Sequence, residues 1–384
     1  DLILLSSGTQ WSSLIPTYAS RGFKAAIRDS QAKIVMIMNR VPDQDALGQS
    51  ASDLVNALIP RYFDPGRIHI LVDINSHPDL RELRSACIHK IASITQAELS
   101  GPADPPGKHN PIKLANAIGR VFFNDYLDSD AFVFDYDDTL VGRNGEYPLS
   151  SHFNIEGLHR LHQLASVAIC TGNTIKALNF AEPPSDSIAE ASHRPLLVFA
   201  DGGINEYAYD ARYWSRSGTS GVTMTAVRCL APDVLLNAIH NTDAGAIIDS
   251  LRRAGIPNSK IENRGDAIIA IRPIDPDQRH AVVCLARSIV EGHGLEVREA
   301  GRTTVEIRRP DLSKVPALRH MWATQPHLFK LTYVGDECDA GNDQDVAALA
   351  NDHAGLKCLH VNSPAHTAFF IATLIARLKD HGKH

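Results

Sequence analysis

Ala131-Phe-Val-Phe-Asp-Tyr-Asp-Asp-Thr-Leu140 is the stretch on which the reading of this chain turns. The four apolar residues before Asp135 are too few for a helix and too continuous for a strand with one wet face. They predict a strand covered on both sides. Three other apolar runs stop in a similar way. Val167-Ala-Ile-Cys170 stops at Thr171, Leu196-Leu-Val-Phe-Ala200 at Asp201, and Leu331-Thr-Tyr-Val334 at Gly335-Asp336. Buried strands of this type build parallel sheets, and in open parallel sheets sites form outside the carboxyl ends of the strands. Asp135, Thr171, Asp201 and Asp336 are therefore expected to converge on one crevice.

Working outward, the segment from Asp1 to about Asn110 alternates apolar runs with helical patterns. Leu2–Leu5, Lys33–Met38 and Ile68–Val72 read as strands, and Ser12–Arg28, Ser50–Arg61 and Leu80–Ile94 as helices, a pattern of parallel strands with crossover helices. Gly101-Pro-Ala-Asp-Pro-Pro-Gly107 cannot hold regular structure and marks a boundary, with a connecting helix over Pro111–Tyr126. On the far side of the buried strands, residues 210–311 change character. Ala267–Ile271, Leu295–Val297 and Thr303–Ile307 read as strands, and Ala244–Ala254 and Gln278–His293 as helices. The expected organisation is α/β throughout. A first α/β domain spans 1–110 and a connecting segment 111–130. A parallel-sheet core spans 131–209 and 312–384, with an α+β insertion at 210–311.

Composition narrows the function class. The chain has 384 residues, a net charge of -6, 44% hydrophobic and 21% charged residues. An acidic balance argues against a nucleic-acid partner, which would need concentrated Lys and Arg. No run of about 18 apolar residues predicts a membrane span. Six cysteines, Cys87, Cys170, Cys229, Cys284, Cys338 and Cys358, lie scattered in apolar runs without a Cys-x-x-Cys pair. That points to reduced thiols and a cytoplasmic protein. The chain opens inside a strand pattern at Asp1-Leu-Ile-Leu-Leu5 with neither Met nor signal peptide, so a natural N-terminus upstream is expected.

The chemistry sits at the strand ends. Asp and Thr are common in turns after strands, so Asp135-Tyr-Asp137 alone would justify little. Phosphoryl transfer, however, needs a nucleophile, a proton donor, a cation and donors for the equatorial oxygens. Two carboxylates two residues apart can divide the first two roles if their environments differ. Asp336 and its acidic neighbours can serve Mg²⁺, which takes one or two carboxylates beside phosphate and water. Thr171 offers a hydroxyl and Lys314 a positive charge for the phosphoryl oxygens.

Asp135-Tyr-Asp-Asp-Thr-Leu140, Cys170-Thr-Gly-Asn173, Ser313-Lys314 and Gly335-Asp-Glu-Cys-Asp-Ala-Gly-Asn-Asp343 occur in the order of the four motifs of the haloacid dehalogenase superfamily. From about Asp130 onward the chain resembles that superfamily. The resemblance implies a Rossmann-like core and Asp135 as the nucleophile that becomes an aspartyl-phosphate. It implies Asp137 as general acid/base, with its backbone carbonyl on Mg²⁺, and Thr171 and Lys314 as the phosphate-stabilising pair. Asp336 and Asp343 fall to the metal site, and Thr139, Gly172, Asn173 and Asn342 to substrate and phosphate binding. The spacing from Asp336 to Asn342 is longer than in the sugar-phosphatase pattern, which leaves open which of Glu337, Asp339 and Asp343 reaches the metal.

The insertion falls after Asp201-Gly-Gly-Ile-Asn-Glu206 and ends at Thr304-Val-Glu-Ile-Arg308 before Lys314. That placement is similar to the large-cap branch of sugar-phosphate phosphatases and phosphomannomutases. It implies hydrolysis of a small phosphorylated metabolite, a sugar phosphate first, with a phosphomutase as an alternative. Arg264, Arg272, Arg302 and Arg308 suit contact with a phosphate or sugar acid, or a solvated cap surface. Asn205 and Glu206 lie where substrate could touch.

In the first segment, Leu2-Ile-Leu-Leu-Ser-Ser-Gly8, Ser12-Ser-Leu-Ile-Pro16, Ala32-Lys-Ile-Val-Met-Ile-Met-Asn39 and Ser50-Ala-Ser-Asp-Leu-Val55 resemble the C-terminal half of CofD/YvcK-type proteins. This resemblance implies a partial domain binding a nucleotide or nucleotide sugar, with Ser6, Gly8, Asn39 and Asp53 lining the site, or serving as ordinary turn residues. It makes a nucleotide-binding or transferase protein with an accessory phosphatase domain the other alternative.

Overall fold

The structure is a computed structural model. It describes residues 1–41, 45, 48–76, 83–85, 91–142, 146–173, 178, 196–200, 202–203, 205–209, 224–229, 241–264, 268–300, 303–310, 312–338, 341 and 343–381. Asp201, Arg302, Asp339 and Asn342, singled out above, lie outside the described residues. Two compact units divide the chain, Asp1–Leu127 and Asp128–His384.

The first unit is a four-stranded parallel sheet in the order β1-β2-β3-β4. The strands are Leu2–Leu5 (β1), Lys33–Ile37 (β2), Ile68–Asp73 (β3) and Ser93–Ala97 (β4). Ile34, Met36, Ile68 and Ile70 pack with Leu58 and Ile59 of the helix Ala51–Tyr62 in its core. Three sequence expectations change here. Of the helix expected over Leu80–Ile94, residues 80–82 and 86–90 lie outside the described residues, 83–85 are helical, and Ser93 and Ile94 belong to β4, where pairing with β3 outweighs local helical pattern. The helix expected over Ser12–Arg28 is broken. Its described pieces are Gln10–Leu14, Ile15–Tyr18 and Phe23–Asp29, and left-handed Gly22 (φ 89°) separates the last two.

The third change concerns the Pro- and Gly-rich stretch at 101–107, which is a loop inside the unit rather than its end. Arg40 Nη1 donates to the carbonyls of Pro105 (3.3 Å) and Lys108 (2.7 Å), and the Asn110 amide donates to Leu99 O (2.7 Å). The helix Pro111–Phe122 then packs on β2 and β3. Proline and glycine exclude regular structure without deciding whether a loop is a linker.

The second unit carries a seven-stranded sheet in the order β15-β14-β5-β6-β7-β8-β9. Its strands are Ala131–Phe134 (β5), Ser166–Cys170 (β6), Leu196–Ala200 (β7), Asn205–Tyr209 (β8), Met224–Cys229 (β9), Leu331–Gly335 (β14) and Leu356–His360 (β15). β15 through β7 are parallel, and β8 and β9 antiparallel. This is the Rossmann-like α/β architecture expected. β5 is buried on both faces. Phe132 and Phe134 meet Phe370 of the helix Pro364–His381, while Ala131 and Val133 join Leu318 and Met321 of the helix Val315–Thr324. The chain leaves β5 for β6 on one side and returns through β14 on the other, so the sheet has its switch point beside β5.

A four-stranded antiparallel sheet, β10-β11-β13-β12, forms the inserted module. It comprises Ile261–Arg264 (β10), Ile268–Ile271 (β11), Glu296–Ala300 (β12) and Thr304–Arg308 (β13), packed on the helices Asn241–Arg253 and Pro276–Val290. Met224–Cys229, expected within the 210–311 insertion, is instead the edge strand of the core sheet. Its pairing with β8 is a long-range hydrogen-bond match that local pattern does not encode.

Burial holds the imidazoles of His159 and His366 low, each pushed down to about 4. The unfolded chain binds those protons near pH 6.5 and the folded chain only near 4, so stability falls as pH drops through that interval. After allowance for screening, each group should cost about 1 kcal/mol at pH 5. Urea midpoints should fall between about pH 7 and pH 5, and His159→Gln should flatten part of that slope.

Candidate active site

Parallel pairing brings the motifs together. Strand β5 ends at Phe134, in register with Val334 of β14, and the Asp135 amide donates to Val334 O (2.8 Å). Thr171 follows β6 and its amide donates to Phe199 O (2.8 Å). Asp135, Thr171 and Asp336 thus leave the sheet at one edge, at the switch point.

The loop after Asp135 closes on itself. Tyr136 O accepts from the amides of Leu140 (2.9 Å) and Val141 (3.0 Å), and the Asp138 amide donates to Val141 O (2.8 Å). Asp138 has φ 54°, a left-handed conformation that Asp tolerates better than most residues. Asn154, fully buried, holds the loop from below by donating to Leu140 O and Pro364 O, both at 2.9 Å.

Lys314 is the electrostatic centre. It precedes the helix Val315–Thr324 and is 2% exposed. Its Nζ lies 2.7 Å from Asp135 Oδ1, 2.6 Å from Asp343 Oδ1 and 2.9 Å from the Tyr333 hydroxyl, which itself donates to Asp343 Oδ1 (2.6 Å). The lysine fits because residue 203 is glycine. At φ 88°, a Cβ there would sit 3.0 Å from Lys314 Cα and 3.2 Å from Cys170 Sγ. Gly335 makes the same allowance for Asp343, whose Oδ2 would be 2.3 Å from an added Cβ.

Asp135, Asp336 and Asp343 each offer an oxygen, all within 4.8 Å of one another. Burial pushes the Asp135 carboxyl up, the charges of Asp343 and Asp336 push the same way, and Lys314 opposes them. Burial and the Asp343 charge raise Asp336 to about 7. Lys314 is raised despite its burial, because Asp135 and Asp343 favour its charge. Three crowded carboxylates against one ammonium leave a deficit of positive charge. Asp343 Oδ2, fully buried, has no hydrogen-bond partner among the described residues. An orphaned anionic oxygen among converging carboxylates is the donor set that a hard divalent cation such as Mg²⁺ takes.

The other expected residues fall into different places. Asp137 is half-buried, and its Oδ2 accepts from Asn173 Nδ2 rather than joining the carboxylate cluster. Thr139, fully buried, donates to Asp336 Oδ1 (3.2 Å), so it bonds a carboxylate in this state. Thr171 Oγ1 accepts from the Asn173 amide (3.0 Å), and Gly172 is partly exposed between them. Glu337 stands beside Gly341.

Arg272 pairs with Glu262 (2.7 Å) and Glu206 with His320 (3.3 Å). In the first unit, Asp53 and Ser50 cap the helix Ala51–Tyr62, and the Asn39 amide group bonds both the amide and the carbonyl of Gly8. Sequence reading missed Tyr333 and Asn154. A tyrosine inside a four-residue buried strand was the available signal, since its hydroxyl needs a partner.

No family model matches the chain, and no curated protein matches it. Solved structures give low-level likenesses. A trehalose-6-phosphate phosphatase related protein is 13% identical, with 66% of this chain and 100% of that one covered and a TM-score of 0.41. An N-terminally truncated, IMP-bound IMP-nucleotidase of Plasmodium falciparum is 13% identical over 68% of this chain and 72% of that one, TM-score 0.47. A trehalose-6-phosphate phosphatase of Aspergillus fumigatus is 16% identical over 66% and 96%, TM-score 0.39. Likeness at this level carries no argument about activity, and nothing among these matches supports the CofD/YvcK resemblance of residues 1–110.

Proposed function

We propose that the second unit is a Mg²⁺-dependent phosphomonoester hydrolase of the haloacid dehalogenase type. The observation that carries this reading is the cluster of Asp135, Asp336 and Asp343, with Asp135 and Asp343 buried against Lys314 and Asp137 held apart by Asn173. Two carboxylates of one loop thereby occupy different environments, which lets one attack while the other carries a proton.

Asp135 forms the bond to phosphorus as the ester P–O bond breaks, and Asp137 delivers its proton to the departing alcohol oxygen. Water then attacks the aspartyl-phosphate, and Asp137 recovers a proton from it as phosphate leaves. Lys314 stays on Asp135 and, with the Thr171 hydroxyl, faces the charge that develops on the phosphoryl oxygens. Asp135, Asp336 and Asp343 would hold Mg²⁺, which supplies neutralisation of the phosphate charge. The substrate class is a small phosphorylated metabolite, with sugar phosphates first, because the inserted module follows β7–β9 as an accessory to the core.

The test is phosphate release from sugar phosphates, nucleotides and phosphorylated acids with Mg²⁺ present. Chelation should cut turnover at least about a hundredfold, and Mg²⁺ should restore it. Turnover indifferent to chelation would refute the metal assignment. Interconversion of sugar phosphates without net release would make the chain a mutase.

A further inference from the structure

One face of the β12–β13 hairpin is charged and yet largely buried. Glu296 lies opposite Arg308 and Arg298 opposite Glu306 in the antiparallel register. Their neighbours Val297, Val305 and Ile307 point the other way, into the apolar core of the inserted module. Arg308 is 3% exposed and Glu306 6%. Buried charge is costly unless paired, and within the hairpin it is paired: Glu296 Oε1 lies 2.5 Å from Arg298 Nε and 3.0 Å from Arg308 Nε.

The pairing then leaves the module. Arg298 Nη1 donates to Asp345 Oδ2 at 2.9 Å. Asp345 lies in the first turn of the core helix Gln344–Asp352, whose N-cap position is Asp343. Arg308 Nη2 points at the same oxygen from 3.8 Å, too far for a hydrogen bond, and is a buried donor without a hydrogen-bond partner among the described residues. One carboxylate oxygen is thus held by one arginine of the inserted sheet and approached by a second.

We propose that Asp345 is a positioning residue, and that Arg298 and Arg308 form with it a latch joining the inserted sheet to the helix that presents Asp343. A slide of the hairpin by about one ångström toward the helix would bring Arg308 Nη2 into hydrogen-bond range of Asp345. It would satisfy a donor otherwise left without a partner, so the latch has a second, tighter state. Asp343 is two residues from Asp345 and rigidly bonded to Lys314 and Tyr333. The position of the inserted sheet is therefore transmitted to the carboxylate cluster through one helical turn. The inference rests on the phosphohydrolase reading only for the consequence at the cluster; the mechanical link stands on the contacts themselves.

The test is amide hydrogen exchange and phosphate release on the full chain, comparing wild type with Asp345→Asn, Arg298→Gln and the double variant. Asp345→Asn is nearly isosteric and Arg298 is partly exposed, so both should fold. Each single variant should speed exchange about tenfold in β12–β13 and in the helix Gln344–Asp352 together. Each should raise the Mg²⁺ concentration giving half-maximal turnover by a similar factor. The double variant should be no worse than either single one, as expected when both remove the same contact. Faster exchange confined to one element, or additive effects of the two substitutions, would overturn the latch. A wild-type chain that shows coupled exchange but releases no phosphate would sink the phosphohydrolase reading and leave the latch intact.

Discussion

Asp135→Asn is expected to reduce phosphate release at least about a thousandfold, with the folded structure retained. The amide matches the carboxyl in size, so the two-sided packing of β5 below it is undisturbed. It cannot attack phosphorus and form an acyl phosphate. Asp343 is bound to Lys314 and Tyr333, and Asp137 to Asn173. Stability should hold or rise slightly. Asp135 is a buried carboxyl whose charge is opposed by burial and by two neighbouring carboxylates, and the substitution relieves that repulsion while Lys314 keeps Asp343. Phosphate release measured beside a thermal melt separates the two effects. A variant that melts normally and still turns over at the wild-type rate would eliminate Asp135 as nucleophile.

Lys314→Met should be the most damaging substitution for the fold. Methionine approximates the volume of the lysine stem but removes the ammonium that the structure places among Asp135, Asp343 and the Tyr333 hydroxyl. Asp135 and Asp343 are 3% and 0% exposed, so water cannot replace the lost charge. Removing one partner of a buried ion pair costs about 3–5 kcal/mol, or a melting temperature lower by on the order of 10 °C for a unit of this size.

The sign of the pH dependence follows from the carboxyls. The folded pKa values of Asp135 and Asp336 lie above the unfolded value of about 3.9, and Lys314 holds Asp135 down, so without the lysine the folded chain binds more protons above that value. The stability deficit of the variant should therefore shrink as pH falls from about 8 towards 5. Mg²⁺ should also recover part of it, by binding the folded carboxylates and not the unfolded chain. Calorimetric melts at two pH values, with and without Mg²⁺, read all three effects. A deficit that grows on acidification would mean that the carboxylates are not what Lys314 offsets.

How much of this was legible in the sequence depends on the range of the force involved. The strands β1, β2, β3, β5, β6, β7 and β14 were visible because continuous apolar runs are a local property. The same runs fixed where each would stop, and so put Asp135, Thr171 and Asp336 at carboxyl ends. Lys314 was visible only as a member of an ordered set of motifs. No local property of Ser313-Lys314 announces a buried ammonium.

Contacts across the fold were not legible. That β9 belongs to the core sheet, that residues 101–107 fold back onto Arg40, and that Ser93–Ala97 is a strand are matters of partner, and hydrogen bonds to distant backbone leave no period in the sequence. The choice of Asp343 for the carboxylate cluster belongs to the same class. Glu337, Asp339 and Asp343 are equivalent as letters, and the helix N-terminus, the Tyr333 hydroxyl and the space above Gly335 draw Asp343 to Lys314. Sequence alone determined which chemistry the strand ends of this protein could carry, because residue type and strand termini are local. Only the tertiary structure decided which carboxylates share one lysine and which arginine of the inserted sheet bonds Asp345, because burial and pairing are set by neighbours far away along the chain.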